Sequence, residues 1–115
     1  MTITLFGIPN CDTVKKARKW LDAQAIGYGF HDYKKQGVPE AKLRQWVAEQ
    51  GWEPILNRRG TTFRQLAEAD KADIDADKAV RLMLANPSMI KRPVVEHGGG
   101  LLVGFDAAAW ERALR

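Results

Sequence analysis

The chain has a single cysteine, Cys11, and this is its strongest nucleophile. It follows Asn10 and precedes Asp12-Thr13-Val14-Lys15-Lys16. A helix starting here would offer unpaired N–H groups and about half a positive charge in its first turn. Both favour thiolate over thiol. Cysteines so placed have pKa values lowered from about 8.5 to roughly 3.5–7.5. Lys15 and Lys16, one turn on, would add to the effect. The alternative is a small residue packed at a helix end, but an exposed, electropositive loop favours the reactive reading. Cys11-Asp12-Thr13-Val14 has valine where a dithiol motif has its second thiol. Oxidised Cys11 must therefore be resolved by an external thiol, such as glutathione or another protein.

Arg92-Pro93 is a second candidate. Proline suits the start of a strand, and its X-Pro bond is able to be cis. The plain alternative is an edge proline beside a surface arginine. Asn57-Arg58-Arg59-Gly60-Thr61-Thr62 is a third, two arginines running into a Thr62–Gln65 capping box. Helix-start N–H groups there would suit a carboxylate or oxyanion, or the segment is a simple helix entry. His31 and His97 lack metal-ligand spacing to each other or to Cys11 and read as non-catalytic, so no metal is expected. Met83, Met89 and the tryptophans at 20, 46, 52 and 110 read as packing residues. There is no P-loop, GxGxxG or Ser/His/Asp pattern.

The elements that must position these residues follow from periodicity. Thr2–Phe6 alternates polar and apolar and is β-branched, as a strand is. From Asp12 the period changes, with Val14, Ala17, Trp20 and Leu21 on one side of a helix whose region Gly27 closes. Tyr28–Tyr33 reads as a second strand. Pro39 suits a first helical position, Leu43, Trp46 and Val47 form an apolar face, and Gly51 stops that helix. Asp75 caps a further helix that Asn86-Pro87 ends. Pro93–Glu96 and Leu101–Gly104 flank His97-Gly98-Gly99-Gly100 as a β-hairpin. Asp106 caps a closing helix from Ala107 to Leu114. The order is β-α-β, a helical block, then β-β-α. It predicts an α/β, thioredoxin-like fold, with residues 1–115 as one domain carrying a helical insertion at about 36–88. In such a fold the Arg92-Pro93 corner faces the helix-start cysteine.

At 115 residues a single core suffices without disulfide or metal. The net charge of +4 is mild, and the basic residues are dispersed, unlike the one-sided basic face of a nucleic-acid protein. Met1–Gly7 lacks the pattern of a signal peptide, and no apolar run approaches the roughly 18 residues of a membrane span. The expectation is a cytoplasmic protein whose thiol is kept reduced.

Four stretches carry a resemblance over essentially the whole length: Gly7-Ile8-Pro9-Asn10-Cys11-Asp12-Thr13-Val14-Lys15-Lys16-Ala17, Phe30-His31-Asp32-Tyr33, Leu56-Asn57-Arg58-Arg59-Gly60-Thr61-Thr62 and Ile90-Lys91-Arg92-Pro93. Together they resemble the arsenate reductase (ArsC) family, which is thioredoxin-like, and within it the YffB-like branch, related to the Spx regulators. Cys11 matches the family's catalytic cysteine. The arsenate reductases hold the oxyanion with three arginines; the matching positions here are Asn57, Arg92 and Gly104, so only Arg92 is kept. The family's histidine before the cysteine aligns near Gly7 and its serine after it near Val14. The resemblance therefore implies a glutathione-dependent thiol reductase rather than an arsenate reductase. Catalysis would fall to Cys11 and substrate binding to Asn10, Thr13, Lys15, Asn57, Arg92 and Pro93. Glutathione is the implied co-substrate, with no bound cofactor, and glutaredoxin or a disulfide-bearing protein is a further partner. The alternatives it leaves are a glutaredoxin-coupled arsenate reductase with altered oxyanion ligands, and a non-enzymatic regulator that binds RNA polymerase as Spx proteins do.

Overall fold

The computed structural model describes residues 2–115. The elements are β1 (Thr4–Gly7), α1 (Asp12–Ala23), β2 (Gly29–Asp32), α2 (Tyr33–Gln36), α3 (Glu40–Gln50), α4 (Thr61–Arg64), α5 (Glu68–Lys71), α6 (Ala76–Ala85), a 3₁₀ turn (Pro87–Met89), β3 (Val94–His97), β4 (Gly100–Val103) and α7 (Ala107–Leu114). They divide into two compact units: residues 1–36 with 92–115, and residues 37–91. Within the helical unit the C-terminal end pairs with the middle of the segment: Leu56 bridges Ile90, and Lys91 N–H donates to the Ile55 carbonyl at 2.7 Å.

The first unit is built on a four-stranded sheet in the order β2-β1-β3-β4. β1 runs parallel to β2, pairing Leu5 with Phe30 and Gly7 with Asp32. It runs antiparallel to β3, pairing Leu5 with Val95 and Phe6 with Val94. Leu5 and Val95 meet Val14, Ala17 and Leu21 of α1 and Trp110 of α7 in one fully buried cluster. The 3.6-residue spacing of the α1 residues puts them on a single face, and burying that face holds a 12-residue helix that would be marginal alone. Trp110 is fixed further by its indole N–H, which donates to the Gly104 carbonyl at 3.1 Å, and by edge-on contacts with Trp20 and Phe105. Asp106 caps α7, its carboxylate accepting from Ala108 and Ala109 N–H.

Several predicted boundaries move. α1 ends at Ala23, before Gly27: Ile26 N–H returns to the Leu21 carbonyl and Ala25 takes a φ of +57°, a Schellman-type close. β2 is shorter than Tyr28–Tyr33, because Asp32 turns the chain into α2, its carboxylate accepting from Lys34 N–H at 2.9 Å. The hairpin shifts to a two-residue Gly98-Gly99 turn, with His97 paired to Gly100. In the second unit Pro39 sits just before α3 rather than as its first residue. α3 packs against α6, where Arg44 bridges Glu40 and Asp77. Gly51 ends α3 at a φ of +82°, and Asp75 caps α6 by accepting from Lys78 N–H, both as expected. The Thr62–Gln65 capping box does not form. α4 starts one residue earlier with Gly60 as its cap, and the Thr62 hydroxyl instead shares a hydrogen bond with Ser88 at 3.0 Å.

The β1–α1 junction rests on a close approach. A Cβ placed on Gly7 would lie 2.9 Å from Val14 Cγ2. Val14 is wholly buried and β-branched, so it has little freedom to yield. Gly7→Ala should therefore lower stability by about 1–3 kcal/mol through overpacking, read as a lower midpoint in chemical denaturation with an unchanged slope.

Candidate functional site

Cys11 is the residue on which α1 begins. Its backbone is extended (φ −134°, ψ 125°), and its carbonyl accepts the first helical bond from Lys15 N–H at 2.9 Å. The Pro9-Asn10 turn carries the chain from β1 to this point with both residues exposed. The cysteine itself is half-buried against the Leu5–Val14–Trp110 cluster.

Opposing influences act on its sulfur. Burial pushes the thiol pKa up. Against that stand the Val14 N–H, the Arg92 side chain as both hydrogen-bond donor and positive charge, and the Thr13 N–H. The donors prevail and the pKa is lowered from its ordinary value. No capping bond of good geometry ties the sulfur to the helix. The N–H groups therefore act as weak donors to a large, diffuse acceptor, and the guanidinium adds a full charge.

Of the cations expected near the sulfur, Arg92 acts on it and the two lysines do not. Lys15 and Lys16 are exposed on α1 and are not among the influences on the sulfur; Arg92 is. The sheet explains the difference. Phe6 pairs with Val94, so the residues just before β3 lie alongside the end of β1, from which the Cys11 loop departs. Lysine side chains at the fourth and fifth helical positions stand out from the helix into solvent.

Thr13 and Arg92 thus meet at Cys11. Pro93 lies buried beside Arg92 across a cis peptide bond, and its carbonyl accepts from Gly104 N–H at 2.8 Å. Asn10 and Lys15 are exposed in the adjoining turn and helix. Asn57 belongs to the second unit. There it lines a groove of about 260 Å³ with Glu53, Pro54, Leu56, Arg58, Arg59 and Lys91. Its side-chain oxygen accepts from Arg59 N–H at 3.1 Å, so it shapes its own loop. Arg58 lies over the Trp52 ring, 5.4 Å from its centre, and 3.9 Å from Glu53.

Two aligned positions gain a structural reason. Gly7 and Val14, where the resemblance places a histidine and a serine, pack directly on each other. Gly104, where it places an arginine, has a φ of +77°, a conformation that side chains rarely adopt. The sequence reading missed Tyr33. It is fully buried, and the positive charge of Arg92 reaches its phenol.

A family model described as the ArsC family matches residues 6–113. Among solved structures, a protein called YFFB is 59% identical with a TM-score of 0.96, over 99% of this chain and 100% of its own. An arsenate reductase (ArsC) related protein from Brucella melitensis is 50% identical with a TM-score of 0.78, over 100% of this chain and 96% of its own. A protein named global transcriptional regulator Spx from Streptococcus agalactiae is 29% identical over 106 residues, 90% of this chain and 77% of its own. The solved relatives bear out the α/β, thioredoxin-like architecture.

The lowered thiol pKa has a direct readout. Iodoacetamide alkylation of Cys11 against pH should give a midpoint below the roughly 8.5 of a free thiol. Arg92→Ala should move that midpoint up, because burial then acts against fewer donors.

Proposed function

Because this chain belongs to the ArsC family, in its YffB-like branch, we propose that it is a glutathione-dependent thiol–disulfide reductase acting through Cys11. The observation that carries the reading is the convergence of Arg92 and two backbone N–H groups on the chain's one thiol. A nucleophile already biased toward thiolate needs no separate base.

The cycle runs through one mixed disulfide. The Cys11 thiolate attacks the glutathione sulfur of a glutathionylated substrate. The substrate's S–S bond breaks, its thiolate leaves and takes a proton from water, and the Cys11–glutathione disulfide forms. A second glutathione thiolate then attacks the glutathione sulfur of this adduct. Glutathione disulfide leaves and the Cys11 thiolate returns. The net change reduces the substrate sulfur from disulfide to thiol and oxidises one free glutathione, which leaves joined to the glutathione taken from the substrate. Arg92 serves both stages. It faces the thiolate in the resting protein, and once the sulfur becomes neutral in the disulfide its charge is released to a glutathione carboxylate. The Thr13 N–H steadies the sulfur, Pro93 forms the wall beside Arg92, and Asn10 and Lys15 provide polar contacts at the exposed rim.

Similarity to the Spx regulators favours one second reading, a non-enzymatic partner of RNA polymerase. Polymerase co-purifying with the Cys11→Ser protein, together with absence of the glutathione adduct, would move that reading to first place.

Incubation with oxidised glutathione should yield a one-to-one adduct by intact mass, absent in Cys11→Ser. Arg92→Ala should slow its formation by a few-fold to about thirtyfold, the worth of one arginine–carboxylate bond at a partly exposed site. Arsenate should be reduced poorly or not at all in a glutaredoxin-coupled assay. Two of the three aligned arginines are absent, and each lost charge-assisted contact costs about 1.5–3 kcal/mol. Restoring them is not a simple exchange, because Gly104→Arg would place a side chain on a backbone with a φ of +77°.

A further inference from the structure

We propose that the groove of the helical unit is a docking site for an acidic, extended segment of a partner protein, separate from the chemistry of Cys11. The groove lies wholly within residues 37–91 and measures about 260 Å³. Arg58, Arg59 and Lys91 line it, against one carboxylate, Glu53. The lining therefore carries a surplus of two positive charges. Such a surface attracts acidic chains and turns basic ones away.

The walls are set before a partner arrives. Leu56 bridges Ile90 in the antiparallel sense. Asn57 N–H donates to the Met89 carbonyl at 2.8 Å, and Lys91 N–H to the Ile55 carbonyl at 2.7 Å. The Trp52 carbonyl accepts from Ile55 and Leu56 N–H at 3.2 and 2.9 Å, which closes the corner that carries Glu53 and Pro54. Asn57 Oδ1 turns the next residues by accepting from Arg59 N–H at 3.1 Å. A site whose backbone is already fixed loses little freedom on binding.

Two observations favour a peptide over a bare oxyanion. An oxyanion needs cations that converge on one centre. Here Arg58 is held over the Trp52 ring, 5.4 Å from its centre, and Trp52 is not among the lining residues. Arg59 is exposed and, among the described residues, has no carboxylate partner. Lys91 belongs to the opposite side of the Leu56–Ile90 bridge. Cations spread in this way match carboxylates spaced along a chain. The second observation is the apolar part of the lining, Pro54 and Leu56, which a bare oxyanion cannot use and the carbon atoms of a peptide can cover. Glu53 is no barrier. It lies 3.9 Å from Arg58 with both side chains exposed, so an incoming carboxylate displaces it at little cost.

The test uses the full chain as Cys11→Ser. Thiol chemistry then plays no part, and failure here leaves the reductase reading untouched. A short glutamate-rich peptide containing leucine is titrated at low salt and followed by two-dimensional NMR. Shifts should concentrate at the Trp52 indole N–H, Asn57, Arg58, Arg59 and Lys91, and added salt should weaken them. The glutamine counterpart of the peptide should not produce them. Arg59→Ala should lower the affinity by about twofold to fivefold, and Arg59→Glu by more. Lys19→Glu makes the same change of charge at an exposed site on α1 and should matter far less. The shift map needs no groove variant, so it decides even where a loop variant is unstable. Absent shifts, shifts spread over other basic surfaces, equal binding of the glutamine peptide, or equal losses in Arg59→Glu and Lys19→Glu each overturn the proposal. Inorganic phosphate that displaces the peptide at equal concentration would show a site for one small anion, and overturns it too.

Discussion

The Cys11 sulfur is half-buried, and a buried sulfur resists ionisation unless donors surround it. The donors come from two separate pieces of chain, the first turn of α1 and the start of β3. Neither suffices as placed by local structure, since the helix forms no good capping bond to the sulfur. The sheet must therefore bring Arg92 to the end of β1, and α1 must dock so that Val14 and Thr13 N–H groups face the same point. Docking depends in turn on the bare Cα of Gly7 under Val14 and on the buried face of Val14, Ala17 and Leu21.

The same packing accounts for departures from the arsenate reductase pattern. Val14 fills the space that Gly7 leaves, where a Cβ would lie 2.9 Å from Val14 Cγ2. Gly104 takes a left-handed turn on leaving β4, its N–H given to Pro93 and its carbonyl to Trp110. An arginine there would have to accept that backbone. Among the groups acting on the Cys11 sulfur, Arg92 supplies the positive charge.

The helical unit has its own internal logic. Its C-terminal end is tied to its middle by the Leu56–Ile90 bridge, and its short helices are pinned by side chains reaching neighbouring backbone, as Lys78 does to the Ala69 and Ala72 carbonyls. Asn57 shows how a residue at an aligned ligand position is taken up by this architecture. Its side-chain oxygen turns the Arg58-Arg59 loop, and the groove it lines is basic because of those neighbours rather than because of itself.

Much was legible in the sequence because it is local. A change of period at Asp12, caps at Asp75 and Asp106, and the break at Asn86-Pro87 each depend on residues a few positions apart, and each reappears in the structure. Cys11 at a helix start is of this kind too. What failed depended on partners far along the chain. The Thr62 hydroxyl left its predicted cap for Ser88, 26 residues away. Lys15 and Lys16 lost to Arg92, because proximity in sequence says which residues share a helix and not which guanidinium a strand will carry to its mouth. The sequence by itself determined where the one cysteine lies, the helix that begins on it and the order of elements. Only the tertiary structure decided which charge faces the thiol, because strand pairing sets that choice.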